Sequence, residues 1–566
     1  MIPVPDPEIK TIVERYALEN ALSHEGKADL KAVMNKVMGE RPDLRSKAKE
    51  TVPTIKAVVE EINKLDKATQ EKMLSDLGGP IVREKVEART GLPPLENVKG
   101  PVVMRFAPGP SGPLHIGNTR AAMLNDEYCK MYKGTFINRI EDTDPDRIMP
   151  EAYEWIPEDL RWLGIKIDKT IIQSDRFELY FEHAKKLLDM GHAYVCTCKP
   201  EVWRELKNQK QACPHRDKAP SDQLNEWDKM RSGVYGQEEA GVIIKTDLQH
   251  PNPAIRDWPA VRICDTPHPR LGTKYRIYPL MNFSVALDDH LLGLTHVLRG
   301  KDHLNNTYRQ EYLYKYFGWV SPVYIHYGRV NIEGLELSKS KMKIGIDEGR
   351  YLGWDDPRLG SIRALAKRGI EPDAIRRYWV EVGPKPVDIA FSWSTLFAFN
   401  KDIVDPKANR YFFVEGPHHL RIEGKGSEQL DGHAPVHPKD PSKGIRKVVV
   451  NGKDGVLVPN EDLKDLPPGT VLRLKDLCNL KLRSQDLAEY IGQDLSILKS
   501  GAKNIQWVHP VQNLDALVHM PDGTDLVGKC EMMTKDSAGK VIQFERFGFV
   551  RIEDHEGKIV GWFTHK

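Results

Sequence analysis

The 566-residue sequence predicts a multidomain α/β protein. Three regional patterns carry this prediction. Apolar residues recur at helical spacing over about 7–90, strand-like and helical segments alternate over about 100–190 and again after 280, and short β-rich runs fill the chain beyond 405. The length is sufficient for roughly four domains.

The N-terminal region is predicted to be helical. In IKTIVERYALENAL, KADLKAVMNKVM and VPTIKAVVEEINKLD, apolar residues recur at steps of three and four, as in Ile12, Val13, Tyr16 and Ala17. The stretch RTGLPPLENVKGP contains three prolines and two glycines, which indicates a linker.

The middle of the chain alternates between predicted strands and helices. VVMRF, AAMLNDEYCKMY, TFINRIED and EAYEWIPEDLRWLG follow one another and indicate βαβ units with a parallel sheet. Residues 192–280 interrupt the alternation and hold four of the seven cysteines, so an inserted domain is predicted there. After 405, runs such as NRYFFVEG, KVVVNG and FGFVRIED predict one or two small β-barrels.

Composition excludes several classes of protein. Lys and Arg number 83 against 81 Asp and Glu, so any nucleic-acid surface must be a local patch. No apolar run approaches the ~20 residues of a membrane span, and MIPVPDPEIK has no signal-peptide features. Seven cysteines are too few for a disulfide framework. We therefore expect a cytoplasmic protein without membrane association.

The stretch RFAPGPSGPLHIGN, at 105–118, joins a predicted strand to a predicted helix. Gly112 and Gly117 allow close approach of the backbone to a ligand, and the prolines stiffen the turn. The helix N-terminus and His115 together offer hydrogen-bond donors to phosphate oxygens. Taken alone, the same pattern also fits a structural turn with a buried histidine.

A second stretch, ELSKSK at 336–341, follows the strand-like YIHYGRV. Its loop of alternating hydroxyls and lysines, Ser338 to Lys341, can place two mobile ammonium groups on a polyphosphate. Taken alone, the stretch also fits a solvated basic loop.

Together the two stretches resemble the HIGH and KMSKS motifs of class I aminoacyl-tRNA synthetases. Four further segments, NRIEDTD, QSDRFELYFEHAKKLLDMGHAYVC, LDDHLLGLTHVLRG and WDDPRLGSIRALAKRGI, occur in the order and spacing of the glutamyl/glutaminyl subfamily. The β-rich C-terminal part is similar to the glutaminyl and archaeal/eukaryotic glutamyl branch, and the N-terminal helices resemble the extension of archaeal glutamyl enzymes. The sequence departs from the motifs at Asn118, in place of a histidine, and at Glu336 and Leu337.

The resemblance implies a class I Rossmann-type catalytic domain with additional parts. In chain order these are an N-terminal helical extension (1–98), the first catalytic half (99–191), an inserted acceptor-binding domain with a zinc site (192–280), the second catalytic half (281–345), a helical stem-contact module (346–404) and a β-barrel anticodon-binding region (405–566).

The resemblance also implies a reaction. Glutamate attacks the α-phosphate of ATP, taken with Mg²⁺, and the glutamyl group then passes to the terminal adenosine of tRNA(Glu). Catalytic roles are implied for His115, Asn118 and Lys339. The residues implied in ATP binding are Pro108, Gly109, His115, Gly117, Asn118, Ser338, Lys339 and Ser340.

The resemblance implies that Arg105, Glu141 and Arg299 bind glutamate, and Tyr278 is added to this set as a tyrosine close to Met281 that can compensate for a missing contact. A guanidinium at 299 pairs with a carboxylate and is left partly unpaired by an amide, which favours glutamate over glutamine. Met281 and Gly109 stand where the family often has a tyrosine and a serine that contact the substrates. The alternatives to this assignment are a glutaminyl-tRNA synthetase and a non-catalytic tRNA-binding paralogue.

A metal site is predicted in the insert. Cys196, Cys198, Cys213 and His215 form a C-x-C…C-x-H set, and thiolates with imidazole suit tetrahedral, structural Zn²⁺. Free cytosolic thiols are the alternative. A similar zinc site occurs in the insert of some glutamyl enzymes.

The partners implied by the resemblance begin with tRNA. Four cations in the segment after the lysine motif are expected to meet tRNA phosphates: Arg358, Arg363, Lys367 and Arg368. Misacylation of tRNA(Gln), a monomeric state and association of the N-terminal helices with other translation factors are further expectations.

Overall fold

The computed structural model describes residues 7–24, 26–41, 48–79, 91–424 and 428–566. They fall into two compact units, Met1–Thr90 and Gly91–Lys566. No helix in these ranges has the length and apolar character needed to cross a bilayer.

The first unit is helical, as its periodicity predicts. Its helices are α1 (Pro7–Ser23), α2 (Leu30–Glu40), α3 (Ala48–Ile62) and α4 (Lys67–Asp76). Asp29 and Asp66 cap α2 and α4 by accepting hydrogen bonds from backbone N–H groups three residues on. The apolar stripe, including Val13, Val58 and Ile62, forms the core of the unit. The predicted continuation of helical structure to about residue 90 falls on 80–90, outside the described residues.

The second unit begins with a parallel sheet. Its first elements are β1 (Val103–Phe106), α5 (Ile116–Tyr132), β2 (Thr135–Ile140), α6 (Ala152–Trp162), β3 (Lys169–Ile172) and α7 (Phe177–Asp189). β1 pairs with β2 and β2 with β3, all parallel. Apolar side chains of β1 and α5, including Met104, Phe106 and Met123, pack in the core beneath this sheet.

An antiparallel sheet follows between Ala193 and Pro279. Its elements are β4 (Ala193–Cys196), α8 (Pro200–Asn208), α9 (Pro220–Arg231), β5 (Gly241–Ile244), β6 (Trp258–Ile263) and β7 (Ile277–Pro279), with strand order β4-β5-β6-β7. Its core, which includes Trp227 and Trp258, is shared with α7.

The chain then returns to the parallel sheet. The next elements are α10 (Met281–Leu291), β8 (His296–Gly300), α11 (Leu304–Phe317) and β9 (Val323–Tyr327). β8 and β9 pair in parallel, and the Thr295 N–H donates to the Val103 carbonyl at 3.0 Å. This contact brings β8 beside β1, so the carboxyl ends of β1, β2 and β8 meet at one edge, where ligands bind in such sheets.

A helical segment follows the sheet. It contains β10 (Val330–Asn331), α12 (Lys339–Asp347), α13 (Ile362–Lys367), α14 (Pro372–Val382), β11 (Ile389–Ala390) and α15 (Trp393–Val404). The buried Arg120 of α5 donates to the carbonyls of Gly328 and Gly383, which fastens this segment to the sheet.

The C-terminal region is almost entirely β-structure. Its elements are β12 (Arg410–Tyr411), β13 (Phe413–Glu415), β14 (Pro417–Glu423), β15 (Gln429–Pro435), β16 (Ile445–Asn451), β17 (Val456–Pro459), α16 (Asn460–Leu463), β18 (Val471–Leu474), β19 (Cys478–Ser484), β20 (Leu487–Gly492), β21 (Lys503–Ile505), β22 (Asn513–His519), β23 (Asp525–Glu531), β24 (Val541–Phe544), β25 (Gly548–His555) and β26 (Lys558–His565).

Apart from β15 and β16, which pair only with each other, these strands form two large sheets with separate cores. One has the order β12-β24-β25-β26-β22-β23-β13 and the other β17-β14-β20-β19-β18-β21. Only Phe412 separates β12 from β13, the two edges of the first sheet. The edges therefore come together and the sheet curls into a nearly closed barrel.

Candidate active site

The turn between β1 and α5 presents His115 at the start of the helix. The His115 Nδ1 accepts from the Gly117 N–H at 3.1 Å, and the Asn118 side-chain oxygen accepts from the His115 N–H at 3.2 Å. These two bonds form a reciprocal cap. Because Nδ1 is the acceptor, the ring proton is assigned to Nε2, which is left to donate to a ligand. The asparagine that replaces the motif's histidine thus has a structural use.

His115 is neutral at physiological pH. Burial, with a smaller effect from Lys339, lowers the pKa of His115 to about 4. The imidazole therefore acts as a neutral N–H donor. Gly117 lets the ring lie close to the helix, since a Cβ at that position would lie 3.0 Å from the imidazole and the ring would have to shift.

Two contacts that the sequence did not reveal hold this turn. The Asp159 carboxylate on α6 accepts from the Leu114 N–H at 2.8 Å. The chain before α13 also pairs with the turn, through Ile116 N–H to the Gly360 carbonyl at 2.9 Å and Ile362 N–H to the Leu114 carbonyl at 2.8 Å. A single acid on an amphipathic helix carries no sequence signal of such a role, whereas Gly360 lies inside a motif that the resemblance covers.

Lys339 lies against the same turn. Its Nζ donates to the Gly112 carbonyl at 3.1 Å. The lysine motif, predicted as a loop, instead begins α12, because the Ser338 hydroxyl caps the helix by accepting from Lys341 N–H. Lys339 and Ser340 line a cavity of about 870 Å³ on the α6 side of the turn.

We expect the use of ATP to weaken as pH rises through about 8. Burial lowers the pKa of Lys339 to about 8, and a lysine is cationic only below its pKa. kcat/KM for ATP reports groups of the free enzyme, so its pH profile should show an alkaline limb near that value. Lys339→Arg should remove the limb, because arginine stays protonated. A wild-type profile that is flat across this range would exclude Lys339 as the titrating group.

A second cavity, of about 260 Å³, opens on the other side of the turn. Met281 and His303 line this cavity. So do seven residues predicted to bind ATP or glutamate: Arg105, Pro108, Gly109, Gly117, Asn118, Glu141 and Arg299. The structure thus brings three of the four predicted glutamate-binding residues into one cavity beside the start of α5.

The wall of this cavity is an ionic network. The guanidinium of Arg139 bonds Glu141 at 3.0 Å and Asp289 at 2.6 Å, and the Arg105 Nε lies 3.6 Å from Asp289. Burial raises the pKa of Glu141, while Arg139 and Arg105 oppose that effect. With Arg299, three guanidiniums face two carboxylates, so the site has a net positive charge. The roles of Arg139 and Asp289 were not predicted, although both lie in quoted motifs.

Tyr278 and Arg368 do not fit their predicted roles. Tyr278 is fully buried in the core of the antiparallel sheet, where it packs edge-on against Phe177, and does not line the cavity. Arg368 is only 3% exposed and donates to the carbonyls of Phe563 and Thr564 on β26. The prediction that it contacts tRNA phosphates is wrong, because its guanidinium joins α13 to the barrel.

The other three cations of that segment are partly exposed and each has an acidic partner. Arg358 pairs with Asp356 at 2.7 Å and Lys367 with Asp355 at 2.8 Å. Arg363 pairs with Glu158 at 2.5 Å. Their contact with tRNA stays a prediction.

The four predicted metal ligands come together in the insert. The Cys213 Sγ lies 3.3 Å from the Cys196 Sγ, 3.5 Å from the Cys198 Sγ and 3.3 Å from the His215 Nδ1. All four ligand atoms lie within 4.8 Å of one another. The His215 Nε2 lies 2.9 Å from the Thr197 hydroxyl, a contact that orients the ring. The donor set and its spacing fit one tetrahedral Zn²⁺.

The turn between β1 and α5, the start of α12 at Lys339 and the cavity lined by Arg105, Glu141 and Arg299 are the arrangement expected of a class I tRNA synthetase. The profile of the tRNA synthetases class I (E and Q) catalytic domain matches residues 101–406, and that of the anti-codon binding domain of the same class matches 408–494. The chain belongs to this family of class I synthetases for glutamate and glutamine.

Its relatives match over the full length. A protein named glutamate–tRNA ligase from Thermococcus onnurineus is 49% identical, with 99% of this chain and 100% of the relative covered. Proteins of the same name from Pyrococcus abyssi (49% identical, 99% and 100% covered) and Methanocaldococcus jannaschii (50% identical, 97% and 99% covered) are similar to the same degree.

Proposed function

We propose that this enzyme attaches L-glutamate to the 3′-terminal adenosine of tRNA(Glu) through a glutamyl-adenylate. The observation that supports glutamate as the amino-acid substrate is the position of Arg299. This buried cation lines the cavity beside the start of α5. Burial and the neighbouring Arg105 lower the pKa of Arg299 to about 10, which still leaves it charged at neutral pH. A γ-carboxylate neutralises this charge, whereas the amide of glutamine cannot.

The chemistry requires positioning and charge stabilisation. The α-carboxylate of glutamate attacks the α-phosphorus of ATP, and the bond to pyrophosphate breaks. The His115 Nε2–H donates to phosphate oxygens, and the Lys339 ammonium stabilises the charge on the leaving pyrophosphate. Glu141 holds the substrate ammonium. In the second step the 2′-hydroxyl of the tRNA adenosine attacks the acyl carbon and releases AMP.

Mg²⁺ accompanies ATP, and Zn²⁺ is the second metal of the proposal. Cys196, Cys198, Cys213 and His215 would hold zinc, and four protein ligands leave no open position for catalysis. The ion would hold the end of β4 and the loop between α8 and α9 together as part of a surface for the tRNA acceptor end.

We expect about one zinc ion per chain. Elemental analysis of the purified protein measures it, and Cys213→Ser should lower both the zinc content and the thermal unfolding temperature. Cys478→Ser is the matched control, because Cys478 is a buried thiol of β19 and is not one of the four ligands. Metal-free protein with an unchanged unfolding temperature would rule the site out.

The remaining parts of the proposal concern tRNA. The insert would bind the acceptor end, the helices of 346–404 the stem, and the β-structure from 405 the anticodon, for which the match over 408–494 is the support. The enzyme would act in the cytoplasm as a monomer, with the N-terminal helices available to other translation factors.

A charging assay tests the function. Labelled glutamate and labelled glutamine are each offered with separate tRNA(Glu) and tRNA(Gln) transcripts, with tRNA present from the start. Glutamate on tRNA(Glu) supports the proposal, and glutamate on both transcripts adds misacylation of tRNA(Gln). Glutamine alone on either tRNA would overturn it, as would tRNA binding without any charging.

A further inference from the structure

Arg299 is held from one side by two neutral side chains of α11. We propose that Thr307 and Gln310 are positioning residues that set the preference for a carboxylate side chain by orienting Arg299 without neutralising it. This inference rests on the proposed function.

The contacts are short and buried. The Arg299 Nη2 donates to the Thr307 Oγ1 at 2.6 Å and to the Gln310 Oε1 at 2.9 Å. Arg299 is 6% exposed, Thr307 5% and Gln310 0%. Because a guanidinium can only donate, the glutamine must direct its oxygen toward Arg299. Its nitrogen has no partner among the residues that the structure describes.

This arrangement leaves one terminal nitrogen of the guanidinium for a ligand. The Tyr324 ring lies 4.9 Å from the guanidinium carbon and restricts its plane. Both bonds from α11 use Nη2, so Nη1 is the terminal nitrogen left to reach a substrate in the cavity that Arg299 lines. A donor held in a fixed position recognises a carboxylate oxygen better than a mobile one does, because less conformational freedom is lost on binding.

The neutrality of the two partners is the second part of the inference. Asp289, the nearest buried acid in the network, is already bonded to Arg139 and lies near Arg105. The direct partners of Arg299 are a hydroxyl and an amide, which accept a hydrogen bond without cancelling its charge. An acid in either place would form an ion pair with the guanidinium. The attraction of Arg299 for the γ-carboxylate of a substrate would then be weaker.

The test compares two kinds of variant. Two variants remove a hydrogen-bond acceptor of Arg299, and one keeps the acceptor but gives it a negative charge. Thr307→Val and Gln310→Met keep the size of the side chain but lose the acceptor. Each should lower kcat/KM for glutamate by about 10- to 100-fold, the worth of a hydrogen bond to a charged group, with KM for ATP unchanged. Thr307→Ser keeps the hydroxyl and should retain wild-type behaviour.

Gln310→Glu distinguishes a role in orienting Arg299 from a role in the packing of α11. It keeps an acceptor at the same place but adds a negative charge, so the ratio of kcat/KM for glutamate to that for glutamine should fall by more than about 10-fold. Leu313→Ala is the matched control, since Leu313 is a fully buried residue of α11 whose loss lowers stability without removing a contact of Arg299. It should leave the KM values for glutamate and ATP and the selectivity ratio unchanged.

Each outcome can be assigned. If the wild-type enzyme charges glutamate and the variants lose glutamate use but not ATP use, the inference holds. If the variants lose both equally, as a loosened helix would cause, or if Gln310→Glu keeps the wild-type selectivity, the positioning role is wrong while the function stands. A wild-type enzyme that does not charge glutamate refutes the proposed function itself.

Discussion

Replacing Lys339 with alanine should lower the rate of glutamyl-adenylate formation by about 100- to 1000-fold, the usual cost of removing one donor that stabilises transition-state charge. The structure places Lys339 Nζ 3.1 Å from the Gly112 carbonyl, so the ammonium is already at the turn that would bind the phosphates. Pyrophosphate exchange in the presence of tRNA measures the step. The affinity for tRNA should be nearly unchanged, because α12 and its cap do not need the lysine side chain.

Lys341→Ala is the matched control for this result. Lys341 lies two residues further on α12 and is exposed, so its removal causes the same loss of charge away from the turn. It should keep near wild-type exchange rates. Comparable losses in the two variants would mean that only general electrostatic attraction is involved, and near-normal exchange by the Lys339 variant would remove Lys339 from the mechanism.

Arg299→Cys should lower kcat/KM for glutamate by at least about 100-fold, while KM for ATP changes little. The loss is large because the substrate carboxylate would enter a buried site without its cation. Steady-state charging with each substrate varied in turn measures the difference, with folding checked by thermal unfolding. Discrimination against glutamine should fall in parallel, since glutamine makes no charged contact there.

Arg299→Lys refines the same experiment. Lysine keeps the charge but cannot bond Thr307, Gln310 and a carboxylate with one planar group, so its activity toward glutamate should fall between those of the wild type and the cysteine variant. Equal losses for glutamate and ATP in the cysteine variant would show that Arg299 only supports the fold of the sheet edge.

Local patterns predicted much of the catalytic unit. His115 and Lys339 stand in ordered motifs with little freedom of spacing, and the structure brings both to one turn. Cys196, Cys198, Cys213 and His215 could likewise be grouped from sequence, because each pair is separated by one residue and a short helix closes the gap between the pairs.

Long-range contacts could not be predicted in the same way. Arg368 occupies a basic helix that resembles a surface for phosphates, yet its guanidinium is bonded to carbonyls almost 200 residues away. Asp159 and Gln310 belong to ordinary amphipathic helices, and no local property distinguishes them from other polar residues at helix surfaces. Tyr278 was assigned to the substrate because it is near Met281 in the chain, but all three residues of β7 are buried and its side chain packs in the core of the antiparallel sheet.

The sequence by itself therefore determined the class of protein and the motifs that carry His115 and Lys339, because these depend on residue patterns whose spacing is local. Only the tertiary structure decided which buried groups surround Arg299, where Asp159 holds the turn and which cations are enclosed in the fold. Such contacts join elements whose separation in the chain is arbitrary, and burial and charge act through space rather than along the sequence.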